Sequence, residues 1–104
     1  MWYSKTYMKA EPLLIRKRVY PNGDIVEIRA WIVAKSNDKP HGFKYSLVFI
    51  RDGKRVVGYD NAEGRGDHRH YRGREQPYTF RDIDQLLSDF FEDIRRFKDE
   101  SKTG

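Results

Sequence analysis

The apolar positions of the chain follow two different periods, which divide it into a sheet-forming part and a helix-forming part. Residues 13–20 and 25–34 are rich in β-branched and other apolar residues, and they flank an Asn22-Gly23 dipeptide. Asn-Gly favours the positive φ angles of a tight turn, so the pattern predicts a hairpin. A second hairpin is expected over residues 43–60, with its turn at Asp52-Gly53.

A turn centred on Asn22-Gly23 predicts how the first hairpin pairs. Val19 is then opposite Val26, and Lys17 is opposite Ile28, on a face that is nearly all apolar. The other face would carry a basic group ending in an aromatic ring, made up of Arg16, Arg18, Arg29 and Trp31. Such a face suits an RNA backbone, and the alternative interpretation is that it is simply the solvated side of a two-layer fold.

The second hairpin and the sequence after it complete the expected fold. The inward face of the hairpin is expected to hold Tyr45, Leu47, Phe49 and Val56. Apolar residues then recur at helical spacing, at Ile83, Leu86, Leu87, Phe90, Phe91, Ile94 and Phe97, and Asp82 is placed to cap that helix. We expect an α+β fold, in which a twisted antiparallel meander sheet of four to five strands carries one long C-terminal amphipathic helix on one face.

The domain limits follow from where these patterns begin and end. Residues 1–7 do not join the pattern and are expected to be a disordered extension or a tag remnant, and residues 99–104 a disordered tail. Residues 8–98 would form the single domain. No apolar run approaches the length of a membrane span, and no signal peptide is visible, so we expect a cytoplasmic protein.

Charge and composition narrow the possible partners. The 104 residues include no cysteine and carry a net charge of +5. Residues 13–81 hold fifteen Lys or Arg against eight Asp or Glu, whereas residues 82–104 hold four against seven. A basic body with an acidic helix suits a polyanionic ligand bound on the sheet and loop side. The lack of cysteine excludes a disulfide framework, a thiolate metal site and a cysteine nucleophile.

Most of the groups capable of chemistry lie in residues 59–74, YDNAEGRGDHRHYRGR. This segment is expected to begin on the last meander strand and to continue as a glycine-containing loop. If the loop is extended at its histidines, His68 and His70 project on one side and Arg69 on the other. Further cations that could bind phosphate are Arg65, Arg72, Arg74 and Lys44.

Three interpretations of this segment stay open. The histidines could cleave RNA without a metal or a cofactor, one imidazole acting as general base and an acid protonating the leaving oxygen. The catalytic set would then be His68, His70, Asp60, Tyr59 and Arg69. Alternatively, a metal-dependent hydrolase would bind its ion through His68, His70 and Asp67. The segment could also belong to a non-catalytic module that binds nucleic acid or protein.

Longer stretches of the sequence resemble a known family. The run HGFKYSLVFIRDGKRVVGYDN, followed by GRGDHRH, PYTF and IDQLLSDFFEDI, is similar to the TumE family, small toxins of toxin–antitoxin systems. The resemblance covers about residues 8–97. Its motif falls on His41, Lys44, Tyr45, Tyr59, Asp60, Asn61, Gly66, Asp67, His68, Arg69 and His70.

The resemblance implies a growth-inhibiting protein with a cognate antitoxin, usually a helix-turn-helix protein. Together with the basic charge and the histidine pair, it favours a toxin that acts on RNA as a metal-independent endoribonuclease. A homodimer remains open, since an exposed sheet edge or the aromatic-rich helix could pair two copies.

Overall fold

The computed structural model describes residues 10–103, which form a six-stranded antiparallel sheet and one helix. The strands follow one another across the sheet in chain order, as a meander. They are β1 (Glu11–Val19), β2 (Ile25–Ile32), β3 (Phe43–Arg51), β4 (Lys54–Asp60), β5 (His68–Tyr71) and β6 (Arg74–Pro77), and the helix is α1 (Ile83–Thr103). The predicted α+β architecture is confirmed, with six strands instead of four to five.

Helix α1 covers one face of the sheet and supplies four of the twelve buried core residues. The Asp82 side chain caps its first turn by accepting a hydrogen bond of 2.7 Å from the Gln85 amide. The helix buries Leu86, Phe90, Ile94 and Phe97. The strands bury Val26, Ile28, Ala30, Tyr45, Leu47, Phe49, Val57 and Tyr59 on what we call the helix face.

The opposite side of the sheet, which we call the outer face, carries the alternate residues of the same strands. Because directly paired residues of antiparallel strands share a face, its members follow from the register. They include Glu27, Arg29, Trp31, Lys44, Ser46, Asp60, His68 and His70.

The first hairpin pairs one residue away from the predicted register. Its turn contains three residues, closed by hydrogen bonds of 2.8 Å from the Tyr20 amide to the Asp24 carbonyl and from the Gly23 amide to the Tyr20 carbonyl. As a result, Arg18 lies opposite Val26 and Arg16 opposite Ile28. A one-residue shift moves every side chain to the other face.

The predicted basic face is therefore wrong. Arg16 and Arg18 lie on the helix face, whereas Arg29 is paired with Ile15 on the outer face. The same shift turns Ile15 and Val19 outward, where they are 46 and 61% exposed. Leu13, which is unpaired at a β-bulge between Pro12 and Leu14, is 43% exposed.

A β-bulge changes the second hairpin. Ile50 pairs with Arg55 but Phe49 pairs with Val57, so one extra residue is accommodated between them. Val57, and not Val56 as expected, is fully buried on the helix face. The bulge also determines on which face of the sheet each residue of β4 lies.

Residues 68–77 form a hairpin where the sequence pattern predicted a loop. Strand β5 pairs with β4, and β6 pairs with β5 through a two-residue turn at Arg72-Gly73. Both turn residues have positive φ angles, 52° and 82°, as in a type I′ turn. The histidines therefore lie on a strand held between two others.

The helix extends beyond the predicted C-terminal limit of the domain. Helix α1 continues to Thr103, so residues 99–103 are helical and not the expected disordered tail. Residues 1–7 lie outside the described residues. No helix within residues 10–103 is long and apolar enough to cross a membrane.

Two neighbouring phenylalanines test the packing of α1. Phe90 is fully buried, whereas Phe91 is 48% exposed. We expect Phe90→Ala to lower the free energy of unfolding by about 3–5 kcal/mol, because it leaves a cavity in the core. Phe91→Ala is the matched control, and we expect it to cause a small fraction of that loss in urea unfolding. Equal losses for the two variants would contradict this packing.

Candidate active site on the outer face

His68 and His70 lie together on the outer face, as their spacing predicts. In the register, His68 is opposite Asp60 of β4, and His70 is opposite Gly58. On the other side, His70 is opposite Glu75 of β6. Alternate residues on a strand are about 7 Å apart along its axis, so the two imidazoles are neighbours on this face.

His70 sits between a carboxylate and a guanidinium. Its Nε2 lies 3.3 Å from Asp60 Oδ2, and its Nδ1 lies 3.1 Å from the Arg55 guanidinium. Since a guanidinium only donates, Nδ1 accepts that hydrogen bond and the ring proton is on Nε2, facing Asp60. Arg55 also approaches Asp60 at 3.7 Å. Asp60, one of the predicted site residues, is thus in contact with one of the two imidazoles.

Gly58 makes room for this arrangement. A Cβ at position 58 would lie 2.9 Å from Arg55 Cδ. The Arg55 side chain therefore crosses the outer face of β4 at the one position without a side chain, and there it reaches His70. A larger residue at position 58 would displace the guanidinium from the site.

His68 has the opposite arrangement of ring nitrogens. Its Nδ1 lies 3.2 Å from the Gly66 carbonyl oxygen, which only accepts, so Nδ1 carries a proton. Its Nε2 lies 3.6 Å from Glu75, and Glu75 accepts a hydrogen bond of 2.5 Å from Arg65. The two imidazoles thus differ, since Nδ1 of His68 donates and Nδ1 of His70 accepts.

Tyr59 and Arg69, also predicted as catalytic, lie on the helix face. The Tyr59 hydroxyl donates to Asp93 at 2.6 Å, and Arg69 Nε donates to the same carboxylate at 2.7 Å. Burial raises the pKa of the Tyr59 hydroxyl, and Asp93 raises it further. The hydrogen bond to Asp93 also raises the pKa of Arg69. These two residues connect β4 and β5 to α1 and do not meet the histidines.

Asp67 does not join the histidines either. It accepts hydrogen bonds from the Tyr45 hydroxyl at 2.7 Å and from His41 Nε2 at 3.1 Å. The His41 ring packs on Phe80, with ring centroids 4.1 Å apart. The metal set of Asp67, His68 and His70 is therefore not assembled. In the part of the chain that is described, no three His, Cys, Asp or Glu side chains are grouped to hold a metal ion.

The other predicted phosphate-binding cations are divided between the two faces. Lys44 and Arg29 are on the outer face, where they pair with Glu63 and Glu27 at 2.8 and 2.7 Å. Arg65 reaches the same side through its contact with Glu75. Arg72 instead donates to Glu100 of α1 at 2.9 Å. Arg74 is opposite Tyr71, whose hydroxyl also bonds Glu100, so both lie on the helix face.

Arg55 and Glu75 are site residues that the sequence pattern did not single out. Arg55 reaches His70 because of the bulge and because Gly58 has no side chain. Glu75 reaches His68 because β6 exists, and the signal for β6 was the Arg72-Gly73 turn.

The assignment of Tyr59 and Arg69 to a structural role is tested at Asp93. The Asp93 side chain is 5% exposed and that of Arg69 is 17% exposed. We expect Asp93→Ala to lower the free energy of unfolding by about 3–5 kcal/mol, because it leaves a largely buried guanidinium without its partner. Asp99→Ala, which removes an exposed carboxylate of the same helix, should leave the free energy of unfolding nearly unchanged. Equal urea unfolding curves for both variants would contradict the assignment.

Comparison with known proteins supports the resemblance noted in the sequence. No curated protein and no solved structure matches the chain. The sequence profile of the family described as Toxin TumE matches residues 3–98, which is nearly the whole chain. The protein therefore belongs to the TumE family of toxins, which are components of toxin–antitoxin systems.

Proposed function

We propose that this toxin is a metal-independent endoribonuclease whose reaction takes place between His68 and His70. The observation that carries the proposal is the complementary state of the two imidazoles on one face. The Nδ1 atom of His68 carries a proton and donates it to the Gly66 carbonyl. His70 has the Asp60 carboxylate beside its Nε2 and the Arg55 guanidinium beside its Nδ1. General acid–base cleavage of a phosphodiester uses one group that accepts a proton and another that donates one, and such a pair of imidazoles can supply both.

His68 is the proposed general base. With Nδ1 held by the Gly66 carbonyl, the lone pair of Nε2 is the one that accepts a proton. It removes the proton of a ribose 2′-hydroxyl, and the 2′-oxygen attacks the adjacent phosphorus. Glu75, 3.6 Å from Nε2, stabilises the imidazolium that results.

Arg55 and His70 complete the reaction. The scissile phosphate draws the Arg55 guanidinium away from His70, because a phosphate oxygen carries more charge than an imidazole nitrogen. Nδ1 of His70 is then free to carry a proton, and Asp60 stabilises the charged ring. That proton goes to the leaving 5′-oxygen, while Arg55 balances the charge that develops on the phosphate.

The reaction yields a 2′,3′-cyclic phosphate and a free 5′-hydroxyl. The bond from phosphorus to the 5′-oxygen breaks as the bond to the 2′-oxygen forms, and one proton moves from substrate to His68 while another moves from His70 to product. DNA lacks the 2′-hydroxyl, so the mechanism restricts cleavage to RNA.

Other residues of the outer face supply contacts for the rest of the RNA strand. Trp31 is opposite Lys44 in the register, and Arg29 is opposite Ser46 in the adjacent position. An aromatic ring beside two cations can stack a base and bind the flanking phosphates. The predicted antitoxin would have to cover or distort this face to neutralise the toxin by blocking RNA.

The proposal predicts that the two outer histidines, and not the third, are needed for cleavage. We expect His68→Ala and His70→Ala each to lower the rate of RNA cleavage by about 10²–10⁴-fold and to abolish growth inhibition. His41→Gln is the matched control, because His41 bonds Asp67 away from the outer face. It should retain cleavage at temperatures where circular dichroism shows that it is folded.

The products and the metal dependence are measured in the same assay. Wild-type protein should form 2′,3′-cyclic phosphate ends in excess EDTA and should not cleave a 2′-deoxy strand. Unchanged cleavage by both folded alanine variants would overturn the mechanism, as would activity that depends on an added divalent ion.

A further inference from the structure

Strand β1 ends the sheet on the side away from the histidines. Within residues 10–103 it pairs with β2 alone, through eight of its nine residues, and Leu13 is left unpaired at a bulge. A terminal strand of this length offers a row of backbone N–H and C=O groups to another strand. Strand β5 is four strands away, about 19 Å at ordinary strand spacing.

Both sides of this edge have features that a bound strand would use. On the outer face, Ile15 and Val19 are 46 and 61% exposed, and Leu13, at the bulge of β1, is 43% exposed. On the helix face, a groove of about 490 Å³ lies between β1 and α1. Its apolar lining includes Val26, Ile28 and Phe91, and its basic lining includes Arg16 and Arg18.

The cations of β1 have no carboxylate partner in the described part of the chain. The ion pairs there include none with Arg16, Lys17 or Arg18, and Arg16 donates only to the neighbouring Ile15 carbonyl, at 3.1 Å. On the next strand, by contrast, Arg29 pairs with Glu27 at 2.7 Å. Lys17 lies opposite Glu27 on the outer face, whereas Arg16 and Arg18 line the groove, where Arg18 lies 4.8 Å from the Tyr20 ring centroid. Two cations without a carboxylate partner on the groove side indicate an acidic occupant.

We propose that β1 binds an extended acidic segment of a partner protein, which adds to the sheet as a seventh strand. Successive side chains of such a strand point to opposite faces. One set, apolar, would cover Ile15 and Val19, and the other set, acidic, would enter the groove beside Arg16 and Arg18. The partner segment is therefore one in which apolar and acidic residues alternate.

The charge of β1 disfavours a second copy of the chain as the occupant. The strand carries three cations and one carboxylate, Glu11. Two copies paired through β1 would bring together strands of like charge, which costs free energy. RNA would satisfy the cations but would leave the apolar side chains on the outer side of β1 uncovered.

The test uses labelled synthetic peptides and the full chain. The probe is a fluorescein-labelled peptide as long as β1 in which Val and Glu alternate, and its control has the same composition in scrambled order. The test variant is Arg16→Glu/Arg18→Glu. The matched variant is Lys54→Glu/Arg74→Glu, which changes the net charge equally at two exposed residues away from β1. Circular dichroism checks that both variants are folded.

We expect the alternating peptide to bind wild type more tightly than the scrambled peptide, and more weakly as salt is raised. Charge reversal at Arg16 and Arg18 should weaken binding at least about tenfold, and reversal at Lys54 and Arg74 should not. Methylation of a single backbone amide of the peptide should abolish binding when it is made at every second position and should have little effect at the positions between. The reason is that alternate amides of an added strand point at β1.

Three results would overturn the proposal. The first is equal binding of the alternating and scrambled peptides. The second is loss of RNA affinity with unchanged peptide affinity when Arg16 and Arg18 are reversed. The third is a dimer of the chain alone, in sedimentation, that the same reversal dissociates. None of these readouts depends on RNA cleavage, so failure here is distinct from failure of the ribonuclease proposal.

Discussion

The alternation of side chains along β4 and β5 is the constraint on which the site depends. Tyr59 and Arg69 are paired across these strands and point to the helix, whereas Asp60 and His68, their immediate neighbours, are paired and point outward. One short segment of sequence therefore supplies both the connection to the core and the candidate catalytic groups. The two functions are separated by the thickness of the sheet and not by distance along the chain.

The buried contacts of one face fix the positions of the other. Asp93 holds Tyr59 and Arg69 through hydrogen bonds of 2.6 and 2.7 Å, and a one-residue slip of β5 would break them while turning the histidines toward the core. The buried Asn61 adds a second restraint, because its side chain accepts from the Tyr45 amide at 3.0 Å and donates to the Phe43 carbonyl at 2.8 Å. Stability and the geometry of the site are thus coupled through the register.

Sequence patterns predict the parts of this arrangement that depend on local periodicity. The helix, the Asp82 cap and the common face of His68 and His70 all follow from spacing, and the structure confirms them. The predicted register of β1 was wrong because Asn-Gly is compatible with both two-residue and three-residue turns. The two kinds of turn place the same residues on opposite faces of the sheet. The role of Arg55 depends on a bulge and on the absence of a side chain at Gly58, neither of which has a periodic signal.

In the proposed mechanism, RNA binds the outer face between two of the three histidines of the chain. This binding is tested most directly by long-range ¹H–¹⁵N NMR of the imidazole rings during titration with a 2′-deoxy oligonucleotide, which this mechanism cannot cleave. We expect the ring signals of His68 and His70 to shift together and those of His41 to stay in place. Shifts confined to His41, with His68 and His70 unchanged at saturation, would contradict it.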